Sequence, residues 1–415
     1  MFIQIHAIQS FPPGNLNRDD QGLPKSALFG GVTRGRISSQ CMKRHMRRSK
    51  AFAALQDGVG QRTRSLPALV GNALKSRGVP NLDAAMIARI EARIAAAFKK
   101  DSGGDTAEHG GEAIQTGQLV FFPQRYVDDI AALLGEAGIS KLSAWLGEGD
   151  GKEKGPKKGA KVPDEAVKKL DADIRAASQF ITIDIGMFGR MTTSELVEDV
   201  EAACQVAHAI STHEVRIERD YFTAMDDLAT AKGAGYIGSG DNSIYFNSAV
   251  YYRYVNLDLD QLRRNVKVAG ARRESGMLSD RELADAACAL LNAVVYAGPT
   301  AKQNGFAAHS VPEFLICEVS ARRQPISYAN AFLEAVELEG NGSVMSRSAS
   351  RLRRYVAEVA VRFQPADLRR FVLAAGDAVG PESEALVGAT VLDRYDDLEG
   401  AVRLGISDGA GAGAR

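Results

Sequence analysis

An α+β fold is predicted: a ferredoxin-like sheet broken by a helical insertion and by a protruding loop. Three observations carry that expectation. Strand-like segments recur at residues 2–9, 180–191, 247–259 and 310–320, with period-two alternation at 2–9 and 247–259. Between them lie stretches with the caps and apolar stripes of amphipathic helices. Residues 57–175 are Ala-rich and helical in pattern and continue neither neighbour, so they read as an insertion.

In the first strand (FIQIHAIQ, 2–9), Ile3, Ile5 and Ala7 share one face. A loop rich in Pro, Gly, Asn and Asp follows to about residue 25. Gly30-Gly31 reads as a tight turn or a close backbone approach. Ser38 or Ser39 is a good N-cap for a helix reaching about residue 55. On it Lys43, Arg47 and Lys50 stack at i, i+4 and i+7, Arg44 and Arg48 lie beside them, and Met42 and Met46 form the packing side. Within the insertion, residues 102–112 and 147–161 are poor in apolar side chains and are expected to be mobile.

After the strand at 180–191, Thr192-x-x-Glu195 reads as a capping box. It would open a helix to about residue 212, with Leu196, Val200, Ala203, Ala207 and Ile210 on one stripe. Residues 213–243 are charged and Gly-rich, too long for a plain connection, and suggest a functional loop or hairpin. Strand 247–259 follows, with Val255, Leu257 and Leu259 on one face. A helix capped by Ser279-x-x-Glu282 then turns Leu283, Ala287, Leu290 and Val294 inward and stops at Gly298-Pro299. Strand 310–320 comes next, then helices at about 328–338, 345–362 and 366–377, and a tail at 401–415 expected to be disordered. Without the insertion the order is close to a split βαβ.

Composition excludes several classes. The 415 residues are 45% hydrophobic and 25% charged, which is ordinary globular usage and suits two to three domains. Four scattered cysteines form no CxxC pair, arguing against a disulfide framework or structural zinc and for a reducing cytosol. No apolar stretch has the length of a membrane helix, and the N-terminus does not read as a signal peptide. The formal charge is zero, yet residues 1–50 hold nine Lys/Arg and two acids. That local +7 balances −7 elsewhere, and such a basic field suits a polyanion.

Asn17, Arg18 and Lys25 lie on the loop, Arg34 and Arg36 flank a glycine, and Ser38, Ser39 and Gln40 open the basic helix carrying Lys43 and Arg47. Helix N-termini and long basic side chains fit a sugar–phosphate backbone and carry little base information. Asp19 and Asp20 could hold Mg²⁺ or act as acid and base, but loop capping is the simpler role, since no further acid clusters in this segment. His208 and His213 miss the helical metal spacing and read as structural. Met191 and Phe222 read as packing residues at element ends. The aromatic consensus of ordinary RNA-recognition motifs is absent.

The segments LNRDD (16–20), FGG (29–31), RISSQ (36–40) and KRHMR (43–47) resemble the CasC family, the repeating backbone subunit of the type I-E CRISPR surveillance complex, Cascade. DIGMFGRMTTS (184–194), VAHAISTHEV (206–215), DYFTAMDDL (220–228), VYYRYVNLDLDQL (250–262), GPTAKQNGFAAH (298–309) and ANAFLEAV (329–336) are similar to further family segments in the same order. The resemblance implies a palm like an RNA-recognition motif over 1–56, 176–212 and 244–400, helical fingers over 57–175 and a thumb hairpin over 213–243. It also implies copies stacked as a helical filament along one crRNA, each kinking the RNA so that its bases pair with target DNA in antiviral defence.

By motif match, Asn17, Arg18, Lys25, Ser38, Gln40, Lys43 and Arg47 would contact the crRNA backbone. Met191 would abut the bases, and Phe222 and Thr223 would lie near the kinked nucleotide. The subunit would be cytoplasmic, would bind other Cascade subunits and no membrane, and would be no enzyme, with no metal or cofactor. The rival is a type III-like backbone subunit that cleaves target RNA through Asp19 or Asp20 with a metal ion. RISSQ and GRM-x-TS argue against that rival.

Overall fold

The computed structural model describes residues 1–55, 58–79, 82–98, 114–147, 164–194, 196–221, 243–266, 277–365, 367–380, 386 and 388–412. The chain opens with β1 (Phe2–Gly14), β2 (Ser26–Phe29), β3 (Val32–Ile37), α1 (Ser39–Arg47) and α2 (Lys50–Ala53). Next come β4 (Gln61–Thr63), α3 (Leu66–Arg77), α4 (Ala84–Ala96), β5 (Val120–Phe122), α5 (Gln124–Glu136), α6 (Ile139–Trp145), α7 (Asp164–Ala177) and α8 (Ile183–Phe188). Then follow β6 (Cys204–Val206), β7 (Ala209–Ser211), β8 (Glu218–Tyr221), β9 (Ser243–Asp258), α9 (Leu259–Asn265), α10 (Asp280–Tyr296), α11 (Gln303–Phe306) and β10 (Phe314–Ser320). The chain closes with α12 (Val344–Phe363), β11 (Arg369–Ala374), β12 (Ala389–Leu392) and α13 (Tyr395–Ala412).

Two compact units result. One holds Met1–Ala53, Cys204–Leu259 and Asp280–Arg415, and the other holds Ala54–Ala203 and Asp260–Ser279. The first is built on a mixed sheet in the order β12-β11-β10-β1-β9-β7-β3-β2, with β6 and β8 also paired to β9. β1 lies between β10 and β9, antiparallel to both, in registers that set His6 opposite Ile316 and Tyr254. The four central strands therefore run β10-β1-β9-β6/β7, the spatial order expected of a split βαβ, with α1 and α10 in the two crossovers.

Both faces of this sheet are closed. The even-numbered side of β1 carries Ile8, which clusters with Tyr252, Tyr254 and Ile316 beneath Leu352, Val356 and Val359 of α12 and beneath Tyr328 and Phe332. Ile3, Ile5 and Ala7 alternate to the opposite side and are equally buried. There α13 lies over β10, its Gly405 facing Val319, and α10 packs against α1, α2 and α13.

A polar cluster sits inside the α12 face. Glu318 accepts from Arg370 Nε at 2.9 Å and Tyr328 Oη at 2.8 Å, and lies 3.5 Å from His6 Nε2. His6 Nδ1 meets Tyr252 Oη at 2.8 Å, and its ring stacks 4.2 Å from Tyr328. Burial raises the Glu318 carboxyl, but the His6 hydrogen bond and charge and the Arg370 charge outweigh it and hold it near about 2. Burial lowers the His6 pKa against the pull of the Glu318 hydrogen bond and charge, which raise it.

The second unit packs α3, α4, α5 and α7 around Val70, Ile90, Phe122, Tyr126, Ile130 and Trp145. It starts near the expected boundary, but it extends past residue 175 to Ala203 and adds Asp260–Ser279. Residues 176–203 therefore belong with the insertion and not with the palm expected at 176–212.

Five local expectations are overturned. Residues 183–188 form helix α8 behind Thr182, since a short apolar run suits a buried helix as well as a strand. Residues 192–194 and 196–203 form no helix. Thr192 N–H donates to Asp199 Oδ1 at 2.6 Å, Ser194 N–H donates to Thr192 Oγ1 at 3.1 Å, and the backbones of Arg190 and Val200 pair. Such local bonds compete with helix formation. Glu195 of the expected capping box lies outside the described residues. Of the expected helix at 328–338 only a 3₁₀ turn, Ala329–Phe332, forms. The last expected helix is instead β11, because pairing with β10 overrides its propensity. The expected disordered tail is largely α13, which buries Leu398, Val402 and Ile406.

Candidate nucleic-acid interface

The basic segment closes on itself through the backbone. Lys25 N–H donates to Asn17 O at 2.8 Å, and Arg36 N–H donates to Lys25 O at 2.9 Å. Ser38 N–H donates to Asn17 Oδ1 at 2.9 Å. These three bonds bring the loop, the β2–β3 hairpin and the start of α1 together. Ser38 is the N-cap: its Oγ accepts from Cys41 N–H at 3.3 Å, and the side chain is buried. Its hydroxyl oxygen thus caps the helix, while the hydroxyl proton stays available to donate.

The hairpin turn needs its glycines. Phe29 pairs with Val32, and Gly30 and Gly31 both take positive φ, at 62° and 84°. A Cβ on Gly30 would stand 1.5 Å from Leu333 O, so the position is both a tight turn and a close approach.

On α1, Met42 and Met46 are buried. Gln40 is exposed, and Lys43 and Arg47, half-buried, follow it along one stripe. Arg18, Lys25, Arg36 and Lys43 make no ion pair among the described residues, so their charge faces outward uncompensated. Arg34 departs from expectation. It is fully buried and donates to Ser211 O at 2.8 Å and Phe332 O at 2.9 Å, binding the hairpin to the sheet and not to a phosphate.

His208 was missed as a site residue. Its Nδ1 accepts from Ser39 N–H at 3.2 Å, so the neutral ring carries its proton on Nε2. Burial, then Arg36 and Lys25, lower its pKa, which places it in the same basic field. No sequence spacing signals this, because His208 arrives just ahead of β7, 169 residues downstream of Ser39.

Asp19 caps its own loop: Oδ1 accepts from Gln21 N–H at 3.0 Å and Leu23 N–H at 2.9 Å. Asp20 is exposed. Among the described residues no group of three or more His, Cys, Asp or Glu is placed to hold a metal ion. Nor is any described helix long and apolar enough to cross a membrane.

Met191 belongs to the second unit and is 88% exposed. It follows Gly189, at φ 79°, and Arg190, a buried hub whose guanidinium donates to Glu198 O at 2.8 Å and Ser178 O at 3.0 Å. Burial lowers the Arg190 pKa to about 10, which leaves it charged at neutral pH. The Met191 side chain is thus held outward on a rigid base, against the expectation of ordinary packing. β8 pairs antiparallel with Ser243–Phe246 of β9, Glu218 to Phe246 and Tyr221 to Ser243. This two-stranded stem leads into residues 222–242. Phe222 and Thr223 lie outside the described residues, as do 102–112 and 148–161.

The family of CT1975-like proteins matches residues 3–398. No curated protein matches the chain. Among solved structures, one titled "CRISPR RNA-guided surveillance complex, pre-nicking" is similar at TM-score 0.76 and 28% identity, covering 98% of this chain and 100% of that one. A second, titled "CRISPR RNA-guided surveillance complex", is similar in fold at TM-score 0.67 and 24% identity, covering 97% and 99%. With its sheet, its outward basic row and a match over almost its full length, the chain belongs to the CT1975-like protein family, the CasC-type group that its motifs resemble.

Proposed function

We propose that this chain is the repeating backbone subunit of a type I-E CRISPR Cascade, a cytoplasmic ribonucleoprotein in which copies line up as a filament along one crRNA. One observation carries the reading: Arg18, Lys25, Arg36 and Lys43 form a basic row with no acid partner among the described residues, stitched to the start of α1. Such a row grips phosphates and leaves base edges free for a complementary DNA strand, so guide pairing carries the sequence specificity. The sheet is the RRM-like palm. Its closed faces favour backbone grip over base stacking. The second unit corresponds to the fingers, and the β8–β9 stem is the base of a thumb that folds over the RNA of the next copy and kinks it. Met191, exposed on its rigid base, abuts the guide bases.

The subunit holds and presents RNA and does not cut it. The capping role of Asp19 supports this against the type III-like reading. Purifying the tagged chain with its bound nucleic acid and sequencing that nucleic acid tests the proposal. Repeat-derived RNA of uniform length, with several copies of the chain per RNA, is expected. Heterogeneous RNA, or none, would overturn it. Cleavage of a guide-complementary RNA that disappears in Asp19→Ala/Asp20→Ala would instead establish the enzyme.

A further inference from the structure

The flank of α1 beside Lys43 and Arg47 lines a cleft of about 680 Å³ within the first unit, together with Lys50, which opens α2 and so does not continue the Lys43/Arg47 stripe. Arg44, Arg48 and Lys50 form one wall, and none of the three makes an ion pair among the described residues. The opposite wall comes from the end of α10 and the loop after it, with Asn292, Tyr296 and Thr300. Tyr296 is 55% exposed, and its ring is braced edge-on by Tyr395 at 5.3 Å. His309 completes the loop side, where Lys302 and Ala307 take left-handed backbone conformations on either side of α11. Left-handed non-glycine residues persist where the surroundings over-determine them, and they concentrate at binding sites.

We infer that this cleft is a second nucleotide site, taking a phosphodiester-linked nucleotide with its phosphate on Arg44, Arg48 and Lys50 and its base on the Tyr296 ring. Guanidinium forks match phosphate oxygens, and an exposed aromatic ring offers a sequence-tolerant stacking surface. The amide of Asn292 and the hydroxyl of Thr300 add donors and acceptors suited to a sugar. No carboxylate among the described residues lines the cleft. An acidic protein segment would instead want a broad apolar centre, and beyond the Tyr296 ring only Ala297 and Gly298 are available. The inference extends the RNA-binding reading to the adjoining flank of the same helix. The nucleotide comes either from the guide itself, continuing around α1, or from a second strand.

The test measures binding of a short labelled single-stranded RNA to the full chain across a salt series. Arg44→Ala/Arg48→Ala is expected to flatten the log–log salt slope by about 1.4, two phosphates at about 0.7 each. Tyr296→Ala should weaken binding about fivefold or more, while Tyr296→Phe should retain it. Unchanged slope and affinity in variants that melt like the parent would overturn the site. So would loss of binding to polyglutamate with RNA binding intact, since the cleft would then hold an acidic protein segment. On the unaltered chain, photocrosslinking with bromouridine-substituted guide or bromodeoxyuridine-substituted complementary DNA reports contact at Tyr296. Capture of the guide identifies the continuing strand, capture of the DNA the second strand, and capture of neither sinks the proposal. Lys43→Ala/Arg47→Ala separates the two readings. If that pair alone weakens binding, the backbone grip stands and the cleft falls.

Discussion

Lys43 and Arg34 show how much a single position decides. Both are basic and lie nine residues apart, but Lys43 projects from α1 without an acid partner while Arg34 is spent inside on carbonyls. Lys43→Ala/Arg47→Ala should flatten the salt slope of single-stranded RNA binding by about 1.4. Arg34→Ala should instead lower the melting temperature, because it strands buried acceptors. The glycine pair offers a similar contrast. Gly31→Ala meets no atom within 4 Å and should cost about 1–2 kcal/mol for its left-handed backbone alone. Gly30→Ala adds the clash with Leu333 O and should cost more, which paired urea titrations of the two variants would read directly.

Elements that carry their own signals were legible in the sequence. β1, the Ser38 cap, the Met42/Met46 side of α1, the β9 strand, α10 and α12 all stand where alternation or capping put them. The basic half of the site came with them, because loop, hairpin and helix are contiguous. Where neighbours distant in sequence decide, local pattern does not carry the outcome. β11 is a strand by pairing with β10, and His208 enters the site from the residue just before β7. The segment after Arg190 looked helical because Leu196 and Val200 share a helical period. In the structure Leu196 and Val197 join the core of the second unit, and Val200 joins a separate cluster with Phe121 and Ile185. The tail misled through composition: a glycine-rich end masked a stripe of Leu398, Val402 and Ile406, all buried. Leu398→Ala should therefore cost about 2–5 kcal/mol, a loss that differential scanning calorimetry would register as a lower melting temperature.

Acid sensitivity belongs to the whole molecule, since the Glu318 cluster ties β1, β10, β11 and the turn after β10 into one unit. The carboxyl is held near about 2 in the folded chain against 4.5 for an unperturbed group. Its contribution of about 3 kcal/mol is present above the unfolded value and is lost as pH falls from about 4.5 toward 2. His6 acts in the same direction: below 6.5 the unfolded chain takes up a proton more readily than the buried ring does. Urea midpoints should therefore fall from neutral to acid pH, and Glu318→Gln should remove most of the lower-pH limb. β1 itself has a temporal consequence. It is the middle strand, yet its partner Glu318 lies 314 residues after Gln4. At about 5–20 residues per second, the ribosome needs on the order of 15–60 s to deliver that partner. The edge of β1 that takes β9 can close earlier, but the edge that takes β10 stays open through that interval and waits for its last neighbour. Chaperone supply during synthesis, more than native stability, should therefore set the yield of folded chain.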